Sequence, residues 1–252
     1  MTSEVWGEDV ASNYDMTSSA MFEPSVLGPT AERLVELARG GDVLEFAIGT
    51  GRVALEIQKH GLRVSGIELS PHMAEQMRQK PGADGVHVSI GDMRNTRVDG
   101  NFNVVYLVWN SVMNVTTQEG QVAVFQNAAT HLNVGGYFVL EVGVPTLDRS
   151  DAGHLGQVFA MEDTHVGIDT LDDPVGQIVT SHHWFEANGH LVRHSGRFRY
   201  VWPSELDLMA RLAGMRLAHR WSGWQKEPFT GESHDQVVVY EKVAQGELLV
   251  DH

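Results

Sequence analysis

The chain has 252 residues, 18 Lys and Arg against 33 Asp and Glu (formal charge −15), no cysteine, and a 42% hydrophobic share. That length accommodates one or two domains of roughly 150 residues, and the hydrophobic share is too high for a disordered chain. The acid excess excludes a broad nucleic-acid surface, and the lack of cysteine excludes disulfides, thiolate nucleophiles and Cys-ligated zinc.

The first twenty residues are polar and acidic, without the basic start and apolar stretch of a secretion signal. The longest apolar runs, such as Val104–Trp109, are about a strand long, against the ~20 residues of a membrane span. The expected compartment is the cytoplasm, with no membrane or nucleic-acid partner. Residues 1–40 read as an N-terminal helical cap, in which Leu27, Ala31, Leu34, Val35 and Ala38 recur at helical spacing before Gly40–Gly41. Val43–Ile48 is a strand buried on both faces, Gly49-Thr-Gly51 turns into a helix faced by Val53, Ala54 and Ile57, and Arg63–Leu69 is the next strand. Ser70 caps a helix over Pro71–Gln79, Val86–Ile90 is a third strand and Asn103–Trp109 a fourth. A helix over Gln118–Leu132 carries Val122, Phe125, Ala129 and Leu132 on one face, and Gly135–Gly136 precedes a fifth strand, Tyr137–Val142.

This βαβα rhythm predicts an α/β fold with a doubly wound, mainly parallel sheet. After Pro145 the rhythm changes. Phe159–Met161, Gly176–Phe185 and His190–Val201 read as strands with Asn188–Gly189 as a hairpin turn, so residues 146–201 form an antiparallel insertion. A helix follows, capped by Ser204 with Asp207 three residues on, and Val237–Tyr240 is a last strand at or near the sheet edge, ahead of a frayed tail over Ala244–His252. The expectation is a single domain over 1–252.

The stretch from Val43 to Ala54 joins a strand, a glycine turn and a helix start, a place where a ligand can lie against bare backbone N–H groups. Seventeen residues after Gly51, at the end of the next strand, Glu68 can accept from both hydroxyls of a ribose. Taken alone, Gly49-x-Gly51-x-x-Ala54 also satisfies the NAD fingerprint, so an NAD(P)-dependent oxidoreductase stays open on those residues. Against it stand Glu45, inside the strand four residues before Gly49, and the absence of the Tyr-x-x-x-Lys pair of many short-chain reductases.

Glu45-x-x-x-Gly49-x-Gly51, Glu68, Asp92 and the Gly135–Gly136 turn together resemble the successive motifs of class I S-adenosylmethionine-dependent methyltransferases, from about Tyr14 to Glu241. Tyr14–Asp15, the extra antiparallel strands and the Phe198–Leu206 stretch are similar to small-molecule members, nearest those that methylate deoxyaminosugar amines. The resemblance implies a seven-stranded Rossmann-like sheet whose last strand is antiparallel, an insertion after strand five lying over the active site, S-adenosylmethionine as cofactor with S-adenosylhomocysteine as product, and N- or O-methylation of a small molecule by a monomer or homodimer.

By position it implies that Glu45, Ala47, Gly49 and Gly51 belong to the cofactor site, the last three lining the methionine part, and that Glu68 holds the ribose. Leu69 and Met73 would flank the adenine, Asp92 would accept from its amino group beside Met93, Val108 and Trp109 would border the sulfonium, and Tyr14 would fold over the cofactor. The loop Trp109–Val115 would face the methyl group. Asn114 stands where aminosugar enzymes often carry a histidine base, so Asn110, Asn114 and Glu141 are the catalytic candidates, with Asn110 to orient the acceptor and Glu141, His182 or His183 as alternative bases. His182 and His183 on one strand would point to opposite faces, which argues against a metal. The lost histidine keeps a non-catalytic S-adenosylmethionine-binding protein as a further alternative.

Overall fold

The computed structural model describes residues 7–145, 156–187 and 190–244. Helices α1 (Glu8–Thr17) and α2 (Pro24–Ala38) lead into β1 (Val43–Phe46), α3 (Arg52–Lys59), β2 (Val64–Glu68), α4 (Pro71–Arg78), β3 (His87–Ile90), β4 (Phe102–Leu107), α5 (Gln118–His131) and β5 (Leu132–Gly143). After the insertion come α6 (Pro203–Leu212), β10 (Met215–Trp221) and β11 (Asp235–Lys242). The seven-stranded sheet runs β10-β11-β5-β4-β1-β2-β3, parallel from β5 to β3, with β11 antiparallel to both neighbours. Strand order reverses between β1 and β4, and there the carboxyl edge of such a sheet opens a crevice.

Sequence explains the layers. β1 is buried at every position, as a doubly covered strand must be. One core cluster packs Phe125, Ala128 and Leu206 of α5 and α6 against Phe46, Phe138 and Tyr240, and another packs Leu34, Ala38 and Ile57 of α2 and α3 against Val43, Val104 and Val239. Phe125 meets Phe138 edge-on at 5.0 Å, a favoured aromatic geometry. No described helix is long and apolar enough to cross a membrane.

The insertion is a separate antiparallel sheet of β6 (Gly156–Met161), β7 (His165–Asp173), β8 (Ile178–Ala187) and β9 (His190–Arg199), in chain order. Its turn at Asn188–Gly189, and residues 146–155 and 245–252, lie outside the described residues.

The structure departs from the sequence reading at four places. β7 and β10 are additional strands, and β10 forms the sheet edge with the last strand beside it, near the edge as expected. Helix α6 starts at Pro203, and Glu205, not Asp207, accepts from the Trp202 N–H at 3.1 Å. Asp207 instead receives Arg220 and the Tyr240 hydroxyl. Phe125, Ala129 and Leu132 are buried as expected, but Val122 is only half-buried, and Gln121 joins Val124 and Ala128 in the buried face, bonded to Arg199 and to the Val112 carbonyl. β5 begins at Leu132, before the glycine pair.

Candidate active site

The turn after β1 is left-handed three times, at Ala47 (φ 53°), Gly49 (φ 59°) and Gly51 (φ 78°). Gly51 is the N-cap of α3, and a Cβ there would stand 2.7 Å from Met77 Cγ of α4. Strain plus this contact gives Gly51→Ala an expected cost of about 2–3 kcal/mol, read as a lower urea midpoint with an unchanged m-value.

Beneath the turn, Glu45 is 2% exposed and accepts from the Tyr106 hydroxyl at 2.6 Å. Burial pushes its carboxyl up from 4.5 to about 8, against the Tyr106 bond, the Arg52 charge and the Ala54 N–H. A carboxyl that holds its proton more tightly when folded stabilises the fold fully below its unfolded pKa, and that contribution disappears as pH rises through the folded value. Wild type is therefore expected to lose a few kcal/mol from this group between about pH 5 and 8. Glu45→Gln is expected to flatten that part of the stability curve in melts across the range.

Glu68, closing β2, is 6% exposed, with Oε2 accepting from Gly49 N–H and Oε1 from Ser70 N–H, each at 2.8 Å. Burial raises its pKa while the Ser70, Gly49 and Leu69 N–H groups pull it back. Beside it a cleft is lined by Ala47, Ile67, Glu68, Leu69, Gly91, Asp92, Met93 and Asn114. Met73 is buried, with its Cε 3.5 Å from where a Gly49 Cβ would stand. The expected role of Asp92, accepting from an adenine amino group, meets a carboxylate already engaged: Arg94 donates to it from its backbone N–H, Nε and Nη2. Burial raises the Asp92 pKa, but the Arg94 bonds and charge outweigh this and hold it below the usual range.

The N-terminal helix closes over the turn. Thr50 Oγ1 donates to Asp15 at 2.6 Å, Lys80 pairs with Asp15 and donates to the Thr50 carbonyl at 2.8 Å, and Arg52 Nη1 donates to the Met21 carbonyl at 3.0 Å. Tyr14 sits within this group: burial raises its pKa, Arg52 opposes, and the Glu68 and Asp15 carboxylates add to the rise.

At the ends of β4 and β5, Val108 is buried, while Trp109 (φ 54°) and Asn110 (φ 57°) turn the chain outward, Trp109 remaining 46% exposed. Glu141 fixes this turn. Its Oε2 accepts from the Trp109 N–H at 2.9 Å, its Oε1 from Trp224 Nε1 at 2.7 Å, and its carbonyl from the Asn110 N–H at 3.1 Å. Asn110 Oδ1 accepts from the Gly143 N–H at 2.6 Å. Both groups are thus occupied in holding the loop, whereas Asn114 lines the cleft. On β8, His182 bonds Ser195 at 2.8 Å and His183 bonds His165 at 2.9 Å, from opposite faces. Among the described residues no three His, Asp or Glu side chains gather as a metal site.

Residues 43–136 match the family model described as a methyltransferase domain. The CcbJ methyltransferase of Streptomyces caelestis superposes with a TM-score of 0.84 at 28% identity, over 97% of this chain and 100% of that one. The chain carries the domain of an S-adenosylmethionine-dependent methyltransferase. It is 26% identical over 243 residues to the cypemycin N-terminal methyltransferase of a Streptomyces species, spanning 94% of this chain and 98% of that protein. It is also 30% identical over 146 residues to the dTDP-4-amino-2,3,4,6-tetradeoxy-D-glucose N,N-dimethyltransferase of Saccharopolyspora spinosa, 56% and 57% of the two chains.

The cleft of this methyltransferase fits that cofactor. It offers a buried carboxylate within reach of a diol, apolar walls from Ile67, Leu69 and Met93, and a glycine turn whose backbone faces the same edge. Ile67 and Gly91 are lining residues that sequence reasoning did not name as site residues. The Asp15, Thr50, Arg52 and Lys80 clasp was missed too, because it joins residues 30 apart and more with no local spacing to reveal it.

Proposed function

We propose that this methyltransferase methylates the nitrogen of a small amine bound at the ends of β4 and β5. S-adenosylmethionine, when bound, supplies an electrophilic methyl group on a sulfonium. In this reading the Ala47–Gly51 turn lies along the methionine part above Glu45, Glu68 accepts from both ribose hydroxyls, and Leu69, Met73 and Met93 enclose the adenine. Val108 and Trp109 border the reacting end, and α1 with Tyr14 excludes water from it. Asp92, saturated by Arg94, orders the loop after β3. Glu141 and Asn110 serve as positioning residues, and Asn114 borders the cofactor.

The observation that carries nitrogen over oxygen is the state of the three catalytic candidates. Asn110 and Asn114 do not titrate, and Glu141 is held by two N–H donors. A neutral amine attacks with its own lone pair, whereas a hydroxyl must shed its proton as it attacks and needs a base. Much of the rate then comes from alignment. The −15 charge favours the approach of an acceptor that is neutral or cationic. Two relatives named for N-terminal and N,N-dimethyl transfer support the same choice.

The test pairs two amines, an alanyl tripeptide and methyl 4-amino-4,6-dideoxyglucoside, with their hydroxyl counterparts, and reads methyl incorporation by mass. Transfer to an amine and none to its hydroxyl partner is expected. The pH dependence of kcat/KM should rise with the acceptor's own pKa and move with it. A fixed inflection near the histidine value of about 6.5 for both amines, or preferred hydroxyl transfer, contradicts the reading.

A further inference from the structure

The Trp109–Asn110 turn is strained, and the group that holds it is itself held. Trp109 and Asn110 are consecutive non-glycine residues in the left-handed region, at φ 54° and 57°, which costs free energy that the surroundings must offset. Glu141 does so, with Oε2 accepting from the Trp109 N–H and its carbonyl from the Asn110 N–H. Its other carboxylate oxygen, Oε1, accepts from Trp224 Nε1 at 2.7 Å. A carboxylate anchored at both oxygens has one orientation, whereas one anchored at a single oxygen turns about its last, softly restrained torsion.

Trp224 is fixed well enough to serve. It stands on the loop between β10 and β11, is 8% exposed, and belongs to the core cluster of Leu34, Val139 and Val237. Cross-strand register places Glu141 on that same face, since Glu141 pairs with Val237 and Val237 with Trp221. Helix α2 pins the loop from outside. Arg33 Nε donates to the Trp224 carbonyl at 3.1 Å, and Lys226 Nζ donates to Glu36 at 2.8 Å. Within the loop, the Ser222 N–H donates to the Glu227 carbonyl at 2.9 Å and the Gln225 N–H to Glu227 Oε2 at 3.0 Å. The far end is tied just beyond β5, where the Val144 N–H donates to the His234 carbonyl at 2.7 Å.

We infer that Trp224 is a positioning residue for methyl transfer: its indole N–H orients Glu141, which in turn holds Trp109 and Asn110 where the acceptor is presented. This rests on the acceptor placement and amine reading proposed above.

The experiment compares wild type, Trp224→Phe, Glu141→Ala and the double variant in the full chain, below every melting transition. Phe keeps an aromatic ring in the core and removes the N–H donor. The first readout is amide exchange at Trp109 and Asn110, with the β2 amides as control. The second is kcat and KM with the alanyl tripeptide and with methyl 4-amino-4,6-dideoxyglucoside, alongside S-adenosylhomocysteine affinity.

In Trp224→Phe, exchange at Trp109 and Asn110 should quicken while β2 holds, and kcat should fall on the order of tenfold or more. KM and S-adenosylhomocysteine affinity should stay within about threefold. In the Glu141→Ala background, Trp224→Phe should change neither exchange nor kcat further, because the bond it removes is already absent. Equal exchange and equal kcat in wild type and Trp224→Phe overturn the inference. So do effects that add in the double variant, which assign the ring to packing alone, and so does failure of Trp224→Phe to fold. Absence of transfer to either amine by the wild type overturns the amine reading instead, and amide exchange, which needs no acceptor, still decides whether Trp224 orders the turn.

Discussion

Glu68→Ala is expected to weaken S-adenosylhomocysteine binding by about a hundredfold or more. The carboxylate is fixed by Gly49 and Ser70 N–H groups at 2.8 Å, so it meets a ligand without reorganising. Hydrogen bonds to a charged group are worth roughly 1.5–3 kcal/mol each, and two lost ribose bonds give about 3–6 kcal/mol, or a factor of roughly 10² to 10⁴. The vacated N–H groups add a smaller stability cost. Glu68→Gln is not a mild change here, because its amide nitrogen would face one of two backbone donors, and it too is expected to bind poorly. Calorimetric titration reads both variants, and affinity within threefold of wild type in Glu68→Ala would remove Glu68 from the site.

Arg199→Ala is expected to cost about 3–5 kcal/mol of stability, the usual penalty for breaking a buried ion pair. For a chain of this size that lowers Tm by roughly 6–20 °C. Arg199 is 3% exposed and joins three elements: Nη1 donates to Gln121 of α5 at 2.5 Å, and Nη2 to Gln177 at 2.5 Å and to Glu205 of α6 at 2.9 Å. Gln121 in turn donates to the Val112 carbonyl in the loop after β4 and to the Arg199 carbonyl of the insertion. Transfer rate should therefore fall along with stability. Burial raises the Glu205 pKa, but Gln177 and Arg199 outweigh it and hold it below its ordinary 4.5. Its contribution is present above that value and is lost as pH falls through the folded one. If Glu205 is the partner that matters, Arg199→Met/Glu205→Leu should recover much of the loss in thermal melts. Equal melting of wild type and Arg199→Ala would contradict the account.

What the sequence made legible was the part of the fold that depends on local chemistry. Val43–Phe46 and Val104–Leu107 are buried strands that read as apolar runs, and the left-handed turn at Gly49 and Gly51 needed its glycines. Glu68 and Asp92 stood at strand ends where the topology brings them to one cleft. Less legible were elements whose partners are distant. β10 reads Met-Arg-Leu-Ala-His-Arg-Trp, with three of its seven positions exposed and polar residues between the apolar ones, as an edge strand can be, so it carries no apolar run. β7 has polar residues on both faces because His165 and Thr170 bond across to β8 rather than to a core. The inward Gln121 of α5 depends on Arg199, 78 residues away. The same limit hid the Trp224 bond to Glu141, 83 residues away.

The most direct test is a single-turnover experiment with the enzyme in excess over methyl-labelled S-adenosylmethionine and either amine acceptor. The account predicts that label leaves the cofactor and appears on the acceptor nitrogen in one turnover, with S-adenosylhomocysteine formed in equal amount. Recovery of intact labelled cofactor from an enzyme that has bound both ligands would contradict it.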